Sequence, residues 1–191
     1  DGDALTFSVA SQPGNGTATL NGATATYTPA SNFNGSDSFT FTVSDGAISS
    51  AAVTVSISVN PINDPPILVN IGNQTVAEGS TLSLTLSGSD LDSDVLTYTV
   101  SGNPSGSSLS ENIFSWAPGF SAPTSSEVTF TVNDGSGGTD TETVIISVNN
   151  TNQTPSATAQ SVTGDEDTPL TFTLSGNDPD GDPLAYTAVT Q

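Results

Sequence analysis

The chain has 191 residues, of which 20 are Asp or Glu and none is Lys, Arg or His, so its net charge at pH 7 is −20. Basic residues make up about a tenth of an ordinary globular chain; without them no internal salt bridge can form, no patch can bind nucleic-acid phosphates, and anionic lipid is not attracted. Cysteine is absent too, which excludes disulfides and thiolate metal sites, while the lack of Lys excludes Lys–Asn isopeptide crosslinks and the lack of His, Cys and Lys excludes nucleophile–base pairs built on them.

Taken in chain order, the apolar residues follow one rule. The stretches Asp37–Asp45, Ala51–Val59, Thr81–Gly88, Val95–Gly102, Glu127–Asp134 and Glu142–Asn149 alternate apolar residues with Ser, Thr or other polar residues. A period of two places one face in a core and the other in water, as antiparallel sheets of a sandwich require. Thr suits the wet face because its β-branch favours extended backbone. Turns are marked by Pro13-Gly14, Asn21-Gly22, Asn34-Gly35, Asp45-Gly46 and Asp134-Gly135, residue types that accept tight-turn dihedrals. Helical periodicity nowhere outlasts a turn, and no apolar run is long enough to span a bilayer. The fold class read from this pattern is all-β.

The chain also repeats itself. Glu78–Val100 (EGSTLSLTLSGSDLDSDVLTYTV) recurs as Glu166–Ala188 (EDTPLTFTLSGNDPDGDPLAYTA), Ser44–Pro66 recurs as Asn133–Pro155, and DGDALTFSV at the start matches DGDPLAYTA from Asp180. The offset is about 90 residues, one sandwich domain. Proline-containing joints at Pro61–Pro66 and Thr151–Pro155 set the expected boundaries. Residues 1–64 are expected to form a sandwich lacking its first strands, 65–153 a complete one, and 154–191 the N-terminal strands of a third. Both ends fall inside a repeat, which reads as excision from a longer array. The competing reading is that the C-terminal strands complete the first domain of a neighbouring chain in a head-to-tail filament. It must contend with Asp180–Gln191 duplicating Asp1–Gln12.

Acidic residues gather at alternate positions in loops that enter strands: Asp1 and Asp3; Asp90, Asp92 and Asp94; Asp178, Asp180 and Asp182. Aspartate is common in turns, but like charges this close repel unless a cation sits among them. A hard divalent ion must come from solvent, and Ca²⁺ tolerates irregular oxygen shells better than Mg²⁺.

The order Glu78, then Ser89-Asp90-Leu91-Asp92, then Asn133-Asp134-Gly135 resembles the calcium-ligating motifs of cadherin repeats, and Asn60-Pro61-Ile62-Asn63-Asp64-Pro65-Pro66 resembles their interdomain linker. Asn112–Pro118 followed by Val128–Gly135 is similar to the Ig/cadherin-like repeats of very large bacterial surface proteins. The resemblance implies a linear array of immunoglobulin/cadherin-like sandwiches with Ca²⁺ at the junctions. It assigns Asn63, Asp64, Asp90, Asp92 and Asp134 to the first junction, where the acidic residue of the preceding domain's first strand is missing. Glu78, Asn152, Asp178 and Asp180 fall to the second, where Gln153 stands for the linker Asp and should weaken the site. Glu166 would serve a third junction, Asp45 and Asp1 one upstream, and Asp3, Asp94 and Asp182 are the remaining alternate acids. The Asp-Arg-Glu motif of cadherins is absent, so one or two ions per junction are expected rather than three.

Other candidates read blandly. Trp116 shares a strand face with Phe114 and is expected in the core rather than as a sugar platform. Asn15, Asn34, Asn73, Asn149 and Asn152 lie in Asn-x-Ser/Thr sequons but serve equally as turn residues. Nothing sets Glu78 and Glu111 or Glu127 at glycosidase spacing. The expected function is a non-catalytic, calcium-stiffened structural or adhesive segment of an extracellular protein, partnered by neighbouring repeats or like chains. The alternative is a module that binds surface polysaccharide or protein.

Overall fold

The computed structural model describes residues 2–188, and among these the regular elements are all strands. They fall into two compact units, Asp1–Asn63 and Asp64–Gln191.

In the first unit, β1 (Thr6–Ser11), β2 (Gly16–Asn21), β3 (Thr24–Pro29), β4 (Gly35–Ser44) and β5 (Val53–Val59) form an antiparallel sheet β1-β4-β5 and a separate β2-β3 hairpin. The hairpin turns through Gly22, whose φ of 61° suits glycine at the first central position of a two-residue turn. Ala18, Phe39 and Pro13 are buried in this unit. Phe7 and Phe41, with centroids 6.4 Å apart, remain only partly covered.

The second unit begins with β6 (Ile67–Leu68), β7 (Gln74–Ala77), β8 (Leu82–Thr85), β9 (Gly88–Ser89), β10 (Thr97–Ser101), β11 (Ser108–Ser110), β12 (Ile113–Trp116), β13 (Ser125–Asn133) and β14 (Thr139–Asn149). Sheet β10-β13-β14-β7 packs on sheet β11-β12-β8, with β7 parallel to β14. Between them lies a core of Leu68, Val76, Leu86, Phe114, Trp116, Val128, Phe130, Val132, Val144, Ile146 and Val148. Phe114 meets Phe130 edge to face, 5.2 Å between centroids at 84°, a favoured aromatic geometry. Trp116 is buried as expected, its indole N–H donating to the Ser105 carbonyl at 3.3 Å.

One strand expected over Thr81–Gly88 is two. The chain pairs with β12 through Thr85, then Leu86 N–H bonds Asn112 O at 2.8 Å and the backbone leaves that sheet for a separate two-stranded one, in which β9 pairs with β6. The switch needs Gly88, since a Cβ there would lie 2.9 Å from the Ile67 carbonyl oxygen.

Residues 154–188 form only β15 (Ser156–Ala157) and β16 (Gly176–Asn177), paired with each other. The alternation at Leu170, Phe172 and Leu174 makes no strand, and these side chains stay about half exposed. The corresponding β8 needs β12 beside it, and residues 154–188 contain no equivalent of β12.

Candidate functional site

The loop between β9 and β10 is curled by its own first carboxylate. Asp90 Oδ1 accepts the backbone N–H of Asp92 at 2.8 Å and of Asp94 at 3.1 Å, and Ser93 takes a left-handed φ of 66° to let it do so. The next acid reaches outward: Asp92 Oδ2 accepts the N–H of Asp64 at 2.7 Å, fastening the linker residue to the loop. Asp94 Oδ2 accepts the Ser136 hydroxyl at 2.9 Å, which ties in the β13–β14 turn.

Asp134, 4% exposed, organises that turn. Its Oδ1 accepts N–H groups of Ser136, Gly137 and Gly138 at 2.7, 3.0 and 2.9 Å, and its Oδ2 also receives Gly138 N–H at 3.1 Å. Gly138 is required, because a Cβ would sit 2.3 Å from Asp134 Oδ2 and 2.8 Å from Pro65 Cα. Among the described residues, Asp90 Oδ2 is the one buried side-chain polar atom without a hydrogen-bond partner. A buried carboxylate oxygen left so is costly unless an ion or water meets it.

The second Asp-rich loop repeats this bonding. Asp178 Oδ1 accepts N–H from Asp180 at 2.9 Å and Asp182 at 3.3 Å, and Asp180 Oδ2 accepts the N–H of Gln153. The clasp on the linker uses a backbone donor, so it survives the replacement of the linker Asp by Gln153. The Gln153 side chain adds a long contact to Asp180 Oδ1 at 3.5 Å. Glu78 bonds the same linker two residues earlier: its Oε2 accepts Thr151 N–H and its carbonyl accepts the Thr151 hydroxyl, both at 3.1 Å. Asn152 is exposed, its amide donating to Gln153 O at 3.4 Å.

Asn63 is exposed at the end of the first unit, Asp3 and Glu166 are exposed, and Asp1 lies outside the described residues. Asp45 folds its own turn by accepting N–H from Ala47 and Ile48 at 2.8 and 2.7 Å. Among the described residues no three acidic side chains converge as a ready-made metal shell. The fit to a cation therefore rests on Asp90 Oδ2 alone.

Three further carboxylates act in the same way without any motif to announce them. Asp140 accepts Leu68 N–H at 2.8 Å, and Glu142 accepts Ile71 and Gly72 N–H at 2.7 and 2.8 Å, docking the entering chain on β14. Asp37 accepts Gly14 and Asn15 N–H and the Tyr27 hydroxyl at 3.0, 2.9 and 3.0 Å. Desolvation is the largest single influence on Asp37 and pushes its carboxyl up. The hydrogen bonds from Ser38, Asn15, Tyr27 and Gly14 together outweigh it and hold the carboxyl below its ordinary 3.8. Ile48 N–H, then Ala47 N–H, depress Asp45 likewise. Because the folded values are lowered, the stability these groups contribute is whole above the unfolded value and is lost as pH falls from there through the folded value. Denaturant midpoints are thus expected to fall more steeply below about pH 4 for the native chain than for Asp37→Asn; parallel curves would refute this.

The bacterial Ig domain family matches residues 1–58, 63–147 and 152–191. The chain is 34% identical over 148 residues to chitinase A of Pseudoalteromonas piscicida, covering 74% of this chain but only 16% of that protein. Human CDH23 EC21-23 superposes with a TM-score of 0.61 at 15% identity, covering 94% of this chain and 70% of that one. Human mucin-like protocadherin EC1-2 gives 0.52 at 19% identity, covering 78% and 85%. These last two likenesses are of fold. Matched along nearly its whole length, the chain belongs to the bacterial Ig domain family, built as tandem Ig/cadherin-like β-sandwich repeats.

Proposed function

We propose that the chain is a non-catalytic spacer segment of an extracellular bacterial repeat protein, in which Ca²⁺ held at the Asp90 loop restrains the linker that the loop grips. The observation behind this reading is Asp90 Oδ2, a buried carboxylate oxygen without a donor in a chain that has no Lys, Arg or His. Asp92, Asp94 and the carbonyls of the curled loop are the oxygen donors nearest in sequence, and a cation there would offset the repulsion among three carboxylates. The resemblance to cadherin linkers adds Asn63, Asp64 and Asp134 as contributors, and Glu78, Asn152, Asp178 and Asp180 at the second loop. Ca²⁺ would act as a ligand of the folded state and so raise its stability.

Calorimetric titration with Ca²⁺ tests this. Heat of binding is expected for the native chain, with a melting-temperature rise on the order of 10 °C at free Ca²⁺ about a hundredfold above Kd. Asp90→Asn keeps one oxygen for the Asp92 and Asp94 amides but offers no charge, and should lose binding at that loop. Unchanged melting and unchanged small-angle scattering with and without EGTA would refute the calcium-stiffened spacer.

A second reading is favoured by the chitinase relative: a module that holds an appended catalytic domain near insoluble polysaccharide. Retention of the chain on chitin, lost on soluble-oligosaccharide competition, would support it over the plain spacer.

A further inference from the structure

The β11–β12 and β2–β3 hairpins are the same turn in two repeats. Leu109↔Phe114 and Ser110↔Ile113 of one match Leu20↔Ala25 and Asn21↔Thr24 of the other. The first central residue of each turn is left-handed, Gly22 at φ 61° and Glu111 at φ 55°. Glycine takes that conformation at little cost, whereas a side chain as long as Glu is held there against its preference. Backbone strain of this kind points to a use for the side chain.

Glu111 lines an open cleft of about 510 Å³ together with Leu96, Thr97, Tyr98, Leu109 and Asn112. These residues come from β10 and β11, which are edge strands of the two different sheets, and from the turn that follows β11. The frame is tied down on both sides. Trp116 N–H holds the connection between β10 and β11 through Ser105 O at 3.3 Å. Leu86 N–H donates to Asn112 O and Asn112 Nδ2 donates to Leu86 O, both at 2.8 Å, which fixes the turn. Asp37, Asp134, Asp140 and Glu142 accept amides and so fold the chain. The Glu111 carboxylate does not: neither it nor the Tyr98 hydroxyl has a hydrogen-bond partner among the described residues.

We propose that this cleft binds a short stretch of a neutral polysaccharide, with Glu111 accepting sugar hydroxyls and Leu96, Leu109 and the Tyr98 ring taking the C–H faces. The proposal deepens the polysaccharide reading above and rests on it. The volume is that of a small-molecule site, roughly 300–1,000 Å³. It suits a few sugar rings rather than a folded partner, which buries roughly 800 Å² on each side. The Glu111 carboxylate only accepts, and Asn112 has its amide nitrogen committed to Leu86, leaving its oxygen as a second acceptor. Without Lys, Arg or His the chain has no cationic donor to set beside them. Such a rim selects a ligand rich in donors, and a net charge of −20 turns away polymers of uronic acids or phosphates.

Amide NMR of the full chain, titrated with N-acetylchitohexaose, cellohexaose and oligogalacturonate, tests it. Saturable shifts are expected at residues 96–98 and 109–112 with at least one neutral sugar, and none with the anionic one. Glu111→Gly copies Gly22 of the matching turn. It should weaken that binding roughly tenfold or more and keep or raise the denaturant midpoint of the second unit. A purely structural role for the carboxylate would lower the midpoint instead, and that result overturns the proposal. A neutral sugar that shifts other residues, or that binds Glu111→Gly as tightly as the native chain, removes this site and leaves the polysaccharide reading standing. Equal binding of oligogalacturonate refutes the preference for neutral chains, and no binding to any of the three sinks the site and the reading together.

Discussion

Phe130→Ala is expected to lower the stability of the second unit by about 3–5 kcal/mol, while Phe41→Ala, at the equivalent place in the first unit, should cost well under half of that in dilute solution. The two residues occupy the same strand register, Phe130 opposite Val100 and Phe41 opposite Val9. Their surroundings differ. Phe130 is fully buried and meets Phe114 edge to face, so truncation removes an aromatic pair and leaves a void between two closed sheets. Phe41 lines an open cavity of the first unit and is only partly buried. Denaturant unfolding followed by Trp116 fluorescence reports the second unit alone, and far-ultraviolet circular dichroism reports both. Equal losses at the two positions would mean that the first unit is as well packed as the second.

That contrast also marks how far the sequence was readable. Alternation in Ser125–Asn133 and Thr139–Asn149 reveals strands because the apolar residues there, Ile145 apart, are buried on one face, and the side chain records that environment. The same alternation at Leu170–Leu174 reads identically and yields no strand, since pairing depends on a neighbour that the local pattern does not encode. The sheet switch at Leu86 was hidden for a similar reason: it is made by the Leu86 N–H donating to Asn112 O and the Val69 N–H donating to Ser87 O, and backbone donors leave no mark in composition. The Asp-x-Asp loops were legible as loops entering strands. That Asp92 and Asp180 would each fasten a linker amide was not, because the donors belong to the main chain of Asp64 and Gln153.

Those clasps explain how a chain of net charge −20 without a single cationic side chain keeps its carboxylates in the fold at all. Asp37, Asp45, Asp92, Asp134, Asp140, Glu142 and Asp180 each accept main-chain N–H groups. Charge-assisted bonds of this kind are stronger than neutral ones, and most of them hold loops or linkers rather than strands. The acids thus do for the connections what the apolar alternation does for the sheets. Asp90 is the exception in that its leftover oxygen is buried, which is why the proposed cation is placed at that loop rather than at Asp134 or Glu142.

The sharpest consequence falls on Asp134. Asp134→Ala is expected to destabilise the second unit by about 3–4 kcal/mol, since it strands the N–H groups of Ser136, Gly137 and Gly138 in a turn whose acceptor was 4% exposed. Asp134→Asn should lose markedly less, because one oxygen remains in place for Oδ1. Asp45→Ala removes the matching carboxylate from an exposed turn of the first unit, where water can satisfy the freed donors, and about 1 kcal/mol is expected. Ca²⁺ adds a second readout. Loss of the turn also releases Ser136 from Asp94, so Asp134→Ala should weaken calcium binding at the Asp90 loop, while Asp45→Ala leaves it unchanged. Should Asp134→Ala instead unfold like the native chain and bind Ca²⁺ with native affinity, the carboxylate would be a bystander in its turn, and amide capture would not be what holds these loops in shape.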